Sequence, residues 1–364
     1  MKGHPERMPY HITKYPGRIR QYDGTMNISV QRRDELVEYC QELATDTVDA
    51  SLDGIHIRLC TNMPHIKLFY NLNWWMTDPS RIPHGQVYAV DDGGKIPAEK
   101  IFERGVVKPD INAGAAYNPE TKTLIVLNND YYGEVKPGTL SIAADIFEDQ
   151  FGVLSVHGAS ASIDGKGYLL IGPTNAGKTT HSYGPGMEHP KGEFHQDDWI
   201  FVHFGSDKAM GHASERWFYM RTNAMENYPW LEPIFRQCDL ENVKADDPRE
   251  KFLPSEPRVM VDPRRILRPE KVVDEIRIHT CFLLKRDPSD SMILRSIGPD
   301  EAVDFLSRAP EKWYNNYLTT FGERKDRRRG ELFKKLFQIA PPYILNIVAP
   351  VERVRNLIFQ ALKD

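Results

Sequence analysis

The sequence predicts an α/β protein built on mixed sheets, with a separate α+β lobe at its N-terminus. Three observations carry this expectation. Short strand-like runs punctuated by Gly, Pro and Asn fill the first third of the chain. The texture changes near residue 130, where apolar runs begin to alternate with helical stretches. One of these runs, YLLI at 168–171, feeds directly into a glycine-containing turn.

In chain order, DELVEYCQELA (34–44) carries Leu36, Tyr39, Cys40 and Leu43 at helical spacing. Strand-like runs follow at 55–60, 66–70, 86–90 and 123–127. Further apolar runs lie at 152–156, 167–171, 199–204, 217–220, 276–284 and 343–348, and the last leads into a helix expected over 350–362. The stretch 299–338 reads as helical and contains the basic run ERKDRRRGELFKK (323–335), which could touch an anionic partner but is expected to be a solvated helix face. The start, MKGHPERMPYHITKYPGRIR, reads as a polar arm laid over the surface. The domains expected are a lobe over 1–127, with a role in acceptor binding, and a nucleotide-binding domain over 128–364.

The chain has 364 residues, 40% hydrophobic and 27% charged, enough to bury one large or two medium cores. A formal net charge of only -4 argues against a dedicated nucleic-acid partner and leaves small anionic substrates open. No stretch approaches the roughly 20 apolar residues of a membrane span, and no apolar signal core opens the chain, so no membrane partner is expected. Cys40, Cys60, Cys238 and Cys281 are scattered, without a CxxC pair; this disfavours structural zinc and disulfides and fits a cytoplasmic protein.

The chemistry is written at GPTNAGKTT (172–180), which fits GxxxxGK[ST]. Gly172 and Gly177 permit the backbone angles that turn amide N–H groups inward around phosphate oxygens, joined by Pro173, Thr174, Asn175, Ala176 and Thr180 of the same loop. Lys178 would neutralise the β- and γ-phosphates of ATP, or alternatively GTP, and the Thr179 hydroxyl would ligate Mg2+. Two features set this loop apart from common nucleotide hydrolases. Gly184–Pro185–Gly186 should end the following helix after about two turns, and Asp197–Asp198 precedes an apolar run instead of closing one.

HGASASIDGKGYLLIGPTNAGKTTHS (157–182) followed by HQDDWIFV (195–202) resembles the core of phosphoenolpyruvate carboxykinases and of their relatives, the HPr kinase/phosphorylases. YYGEVKPG (131–138), FGVLSVHG (151–158), FRQCDLENV (235–243), PRVMVDP (257–263) and YILNIVAPVERVRNLI (343–358) continue the likeness in order, over roughly residues 128–360. The resemblance implies a phosphoenolpyruvate carboxykinase-like P-loop fold. It makes His157 a metal-binding imidazole, Asp198 a metal ligand, and Asp197 a second metal contact or a base for an acceptor hydroxyl. Arg258 matches the arginine spanning the transferring phosphate; Tyr131 and Lys136 lie on the substrate-side segment, and Arg221 and Arg353 fall near basic positions of the family. A second divalent ion such as Mn2+ is implied beside Mg2+.

Two departures matter. Where carboxykinases carry adjacent lysines, this chain has Lys136–Pro137, and no TGRSPKD-like segment occurs between residues 1 and 125. The leading expectation is therefore a Mg-dependent kinase acting on a small-molecule acceptor, with a protein acceptor as a variant. Carboxykinase activity is the alternative, with Arg58 or Arg104 supplying the carboxylate contact. A nucleotide-binding sensor with weak turnover is the third reading.

Overall fold

The computed structural model describes residues 10–12, 27–95, 106–108, 112–172, 176–243, 257–308 and 323–363. These form two compact units. One gathers the described residues of Met1–Ala143 and of Glu215–Ile266; the other gathers those of Ala144–Ser214, Leu267–Asn316 and Phe321–Asp364. The sequence suggests a single boundary at 127/128, whereas here residues 128–143 and Glu215–Ile266 pack with the N-terminal lobe. No Gly/Pro linker marks those crossings, so local sequence cannot announce them. Among the described residues no helix is long and apolar enough to cross a membrane.

The N-terminal unit holds a seven-stranded mixed sheet in the order Trp75–Met76, Asp46–Leu52, Ile55–Thr61, Gly85–Val90, Thr123–Leu127, Ala113–Asn118 and Val106–Lys108. Its helix Val30–Leu43 starts at Ser29, whose hydroxyl caps the Arg32 N–H, and buries Leu36, Val37 and Cys40 against Tyr88, Val90, Ile125 and Leu127. The run 66–70, read as a strand, is the middle of helix Pro64–Asn73. Ile66, Phe69 and Tyr70 are buried at helical spacing there, and Pro64 opens the first turn, where its missing N–H costs nothing. A second sheet orders Tyr10–Ile12, Leu240–Val243, Arg258–Val261 and Phe218–Arg221. Apart from Tyr10–Ile12 and residue 95, the N-terminal arm and the stretch around Arg104 lie outside the described residues.

The other unit is an eight-stranded mixed sheet with both faces covered. Its strand Lys166–Ile171 pairs antiparallel with Leu154–Ile163 and parallel with Glu275–Lys285, which is itself parallel to Pro342–Asn346. Alternation assigns the faces. Leu169 and Ile171 join the cluster holding Leu332, Phe333, Leu336 and Phe337 of helix Glu323–Ile339, while Tyr168 and Leu170 join Val354 and Ile358 of helix Val351–Ala361. The α/β class with mixed sheets and an N-terminal α+β lobe is thus as the sequence predicts.

The basic run is not wholly solvated. On helix Glu323–Ile339, Arg329 is buried and pairs with Glu148, while also donating to the Ser155 carbonyl at 3.1 Å. Lys325 pairs with Asp145. Removing one partner of a buried pair strands the other charge in a low-dielectric site. Arg329→Ala should therefore lower stability by roughly 3–5 kcal/mol, read as a shifted urea midpoint with an unchanged m value. A loss below about 1 kcal/mol would mean that the pair behaves as a surface one.

Candidate functional site

Strand Lys166–Ile171 delivers the chain to Gly172, and helix Lys178–Glu188 leaves the loop on its other side. Between them, Pro173, Thr174 and Asn175 lie outside the described residues. A Cβ on Gly172 would approach Leu284 Cβ to 2.7 Å, and Gly177 has φ +74°, so each glycine is required where it stands. Ala176 is buried, and the Lys178 ammonium donates to the Gly172 carbonyl at 2.8 Å, closing the loop from one end to the other. Thr180 is half-buried on the same helix.

That helix runs for 11 residues, straight through the Gly184–Pro185–Gly186 expected to end it. A proline removes the N–H that would have bonded four residues back, here to the His181 carbonyl. The buried Tyr168 hydroxyl donates to that carbonyl at 2.8 Å and replaces the missing donor. His181 itself is buried, and desolvation lowers its pKa to about 4, so the imidazole beneath the loop is neutral near pH 7.

The paired aspartates sit at the bend between strands Gly192–Gln196 and Trp199–Phe204. Asp197 thus does close a strand, but GEFHQ has too little apolar alternation to be read as one. His195, buried with its pKa pushed down to about 3 by desolvation, pins that strand through Ser160 Oγ at 2.7 Å. Asp197 accepts from the Thr179 hydroxyl at 3.2 Å. Asp198 lies instead beside His157, with Nε2 3.4 Å from Oδ1. The Thr179 hydroxyl is thus paired with Asp197, and the His157 imidazole with Asp198. Trp199, which sequence reading passed over, stacks on the His157 ring at 5.1 Å and fixes its orientation; the two residues are cross-strand partners. Arg353 is exposed on helix Val351–Ala361.

The donors suit divalent ions. A hydroxyl beside a carboxylate is a hard-oxygen set of the kind Mg2+ takes, and an imidazole beside a carboxylate suits an ion such as Mn2+.

Tyr131, Lys136 and Arg258 belong to the N-terminal unit, where they gather around Tyr219 and Glu241. Tyr131 is buried, and its ring lies against Gly133, where any Cβ would clash. Lys136 is buried too, with its ammonium 3.0 Å from Glu215 and 5.8 Å from the Tyr219 ring centroid. Glu215 also accepts from Asn73 at 2.8 Å, and Asn73 accepts from the Tyr132 hydroxyl at 2.8 Å. Glu241 is wholly buried; it accepts from the Tyr132 and Gly133 N–H groups at the start of helix Tyr132–Ile146, and from the Tyr219 hydroxyl. Arg258 is in register with Glu241 on one neighbouring strand and with exposed Arg221 on the other. Arg58 is engaged by Asp49 at 2.8 Å. Glu215, Glu241 and Asn73 are the residues that sequence reading missed. Glu215, between Ser214 and Arg216, and Glu241, between Leu240 and Asn242, carry no local signal, and Asn73 only the weak one of an amide among apolar neighbours.

No family model matches the chain. The ATP-dependent phosphoenolpyruvate carboxykinase of Aeropyrum pernix is 27% identical to it over 203 residues, covering 51% of this chain and 41% of the carboxykinase. The chain is related to the phosphoenolpyruvate carboxykinase group. This is the relationship its motifs indicate. Among solved structures, the Hpr(Ser) kinase/phosphatase of Coxiella burnetii is similar with a TM-score of 0.31 and 12% identity, over 57% of this chain and 88% of that one.

Burial raises the Glu241 pKa from 4.5 to about 8, against the lowering effect of its three donors. A carboxyl whose folded pKa lies above its unfolded value contributes stability that is complete below pH 4.5 and is lost as pH rises through about 8. Wild-type Tm should thus fall between about pH 5 and pH 8 by more than that of Glu241→Gln. Parallel curves for the two proteins would show that Glu241 ionises freely.

Proposed function

We propose that the chain is a Mg-dependent phosphotransferase that moves the γ-phosphate of ATP to a small-molecule acceptor. The single observation that carries this reading is the closed loop from Gly172 to Lys178, with Thr179–Asp197 and His157–Asp198 beside it on the same sheet. Amides turned inward by such a loop bind phosphate oxygens, and Lys178 adds a charge-assisted bond. A divalent ion held at Thr179 and Asp197 would neutralise charge on the polyphosphate. Asp198, kept near His157, remains able to hold a second ion or to orient the acceptor hydroxyl. Lys178→Ala should weaken ATP–Mg binding by roughly 10- to 100-fold, measured by calorimetry on the whole chain. Undiminished affinity would end the reading.

Carboxykinase activity is a second reading, favoured by the 27% identity to an ATP-dependent phosphoenolpyruvate carboxykinase. Against it stands the buried Lys136–Glu215 pair at 3.0 Å, which commits the substrate-side lysine to the protein interior. Phosphoenolpyruvate formed from oxaloacetate and ATP with Mn2+ present would select the carboxykinase. ADP release dependent on another acceptor would select the kinase.

The two donor pairs should separate in their metal dependence. Asp197→Asn is expected to raise the Mg2+ concentration needed for half-maximal ATP binding by roughly tenfold or more. His157→Ala should leave that value unchanged and remove any added stimulation by Mn2+. Equal effects of both substitutions on Mg2+ dependence would mean that the pairs serve one ion.

A further inference from the structure

The basic run on helix Glu323–Ile339 has no part in the reading above, yet it walls a pocket of about 350 Å³. Arg328, Glu331, Leu332 and Lys335 line it at the i, i+3, i+4 and i+7 spacing of a single helix face. Opposite stand Phe151, Gly152 and Val153, with His203 and Phe204. The Lys335 ammonium lies 4.7 Å over the Phe204 ring, and Arg328 reaches the Glu148 carbonyl at 3.4 Å. Phe151 is 58% exposed, an unusual placement for a phenylalanine.

We propose that this pocket is a second ligand site, which takes a small organic anion with a flat aromatic body and a carboxylate or phosphate head. Its volume lies at the small end of ligand pockets, which rules out a polymer. Arg328 lies 3.7 Å from Glu331, so the Lys335 ammonium is the cation in excess and favours an anion. Glu331, on the same helix face, disfavours polyanions such as a nucleoside triphosphate. Lys335 would pair with the head group, while Phe151 and Phe204 offer ring faces and edges to the body. A nucleic-acid reading of the basic run fails because Lys325 and Arg329 turn inward to Asp145 and Glu148, which breaks the stripe of charge.

The pocket is separate from the phosphate loop. Strands Leu154–Ile163 and Trp199–Phe204 pair antiparallel, with Leu154 opposite Val202 and His157 opposite Trp199. Val153 and Phe204 therefore sit at one end of this pair, and His157 and Asp198 at the other. Asp198 and Phe204 are six residue steps apart along the strand, about 20 Å at strand spacing. The same two strands reach both places, and the pocket wall is anchored by the buried Arg329–Glu148 pair.

The test titrates the full chain into 4-fluorobenzoate and, separately, 4-fluorophenyl phosphate, observed by fluorine NMR. At least one probe should bind saturably, weaken with added salt, and lose roughly tenfold or more in affinity in Lys335→Glu. Phe151→Ala should also weaken it. ATP–Mg binding by both variants should stay at the wild-type level, which shows that the fold is intact, and the tighter probe identifies the head group. The proposal is overturned if neither probe saturates at millimolar concentration, if Lys335→Glu binds as wild type, or if inorganic phosphate displaces the probes as well as phenyl phosphate does. It is equally overturned if probe binding is lost in Lys178→Ala but kept in Lys335→Glu, since the probes would then report the phosphate loop.

Discussion

The candidate site depends on the immobility of strand Lys166–Ile171. It is hydrogen-bonded on both sides, and its residues alternate into two separate apolar clusters, so neither translation nor rotation is available to it. The chain therefore emerges at Gly172 at a fixed point. Lys178 then ties the start of the helix back to that point through the Gly172 carbonyl. A phosphate cradle made of main-chain amides gains its binding energy only if those amides are already aimed, because aligning them on binding would cost conformational entropy for every residue of the loop. The helix itself needs the same support: without the Tyr168 hydroxyl on the His181 carbonyl, Pro185 would leave an unsatisfied acceptor one turn from Lys178.

Charge is handled differently in the two units. In the loop-bearing unit the acidic groups Asp197 and Asp198 are half-buried at a bend, where they can still approach a cation. In the N-terminal unit, Lys136, Glu215 and Glu241 are fully enclosed. There Lys136 and Glu215 neutralise one another, while Glu241 is held by three donors yet titrates near neutrality. Enclosed pairs of this sort stabilise little in net terms, but they tolerate almost no substitution, since loss of one member leaves the other uncompensated. Lys136 and Pro137, both within helix Tyr132–Ile146, thus read as parts of a rigid scaffold.

The loop and its flanking strand were legible because the signal is local: a fixed spacing of glycine, lysine and threonine directly after an apolar run. Helix Val30–Leu43 and the strands at 86–90 and 123–127 were legible for the same reason. What failed depended on partners distant in sequence. Pro185 is tolerated only because Tyr168, 17 residues earlier, supplies a hydroxyl. The run 66–70 alternates enough to pass for a strand, but its buried face is helical and is set by contacts beyond the run. Whether Thr179 would meet Asp197 or Asp198 turns on which way a bend between two strands points each carboxylate, and adjacency in sequence carries no such information. Glu241 could be found only by knowing which helix start it caps.

Helix Glu323–Ile339 shows why a basic run resists interpretation from composition alone. Five cations in six positions cannot all face one way on a helix, since successive side chains are turned by about 100°. Pairing Arg329 with Glu148 and Lys325 with Asp145 fixes the rotation of the helix about its own axis. Once that rotation is set, the register of every other side chain follows, and Arg328 with Lys335 is delivered to a wall facing Phe151 and Phe204. The inward cations act as a structural key, and the outward ones become chemically available as a consequence. A uniformly solvated face would need no such key, and the burial of Arg329 shows that this helix has one.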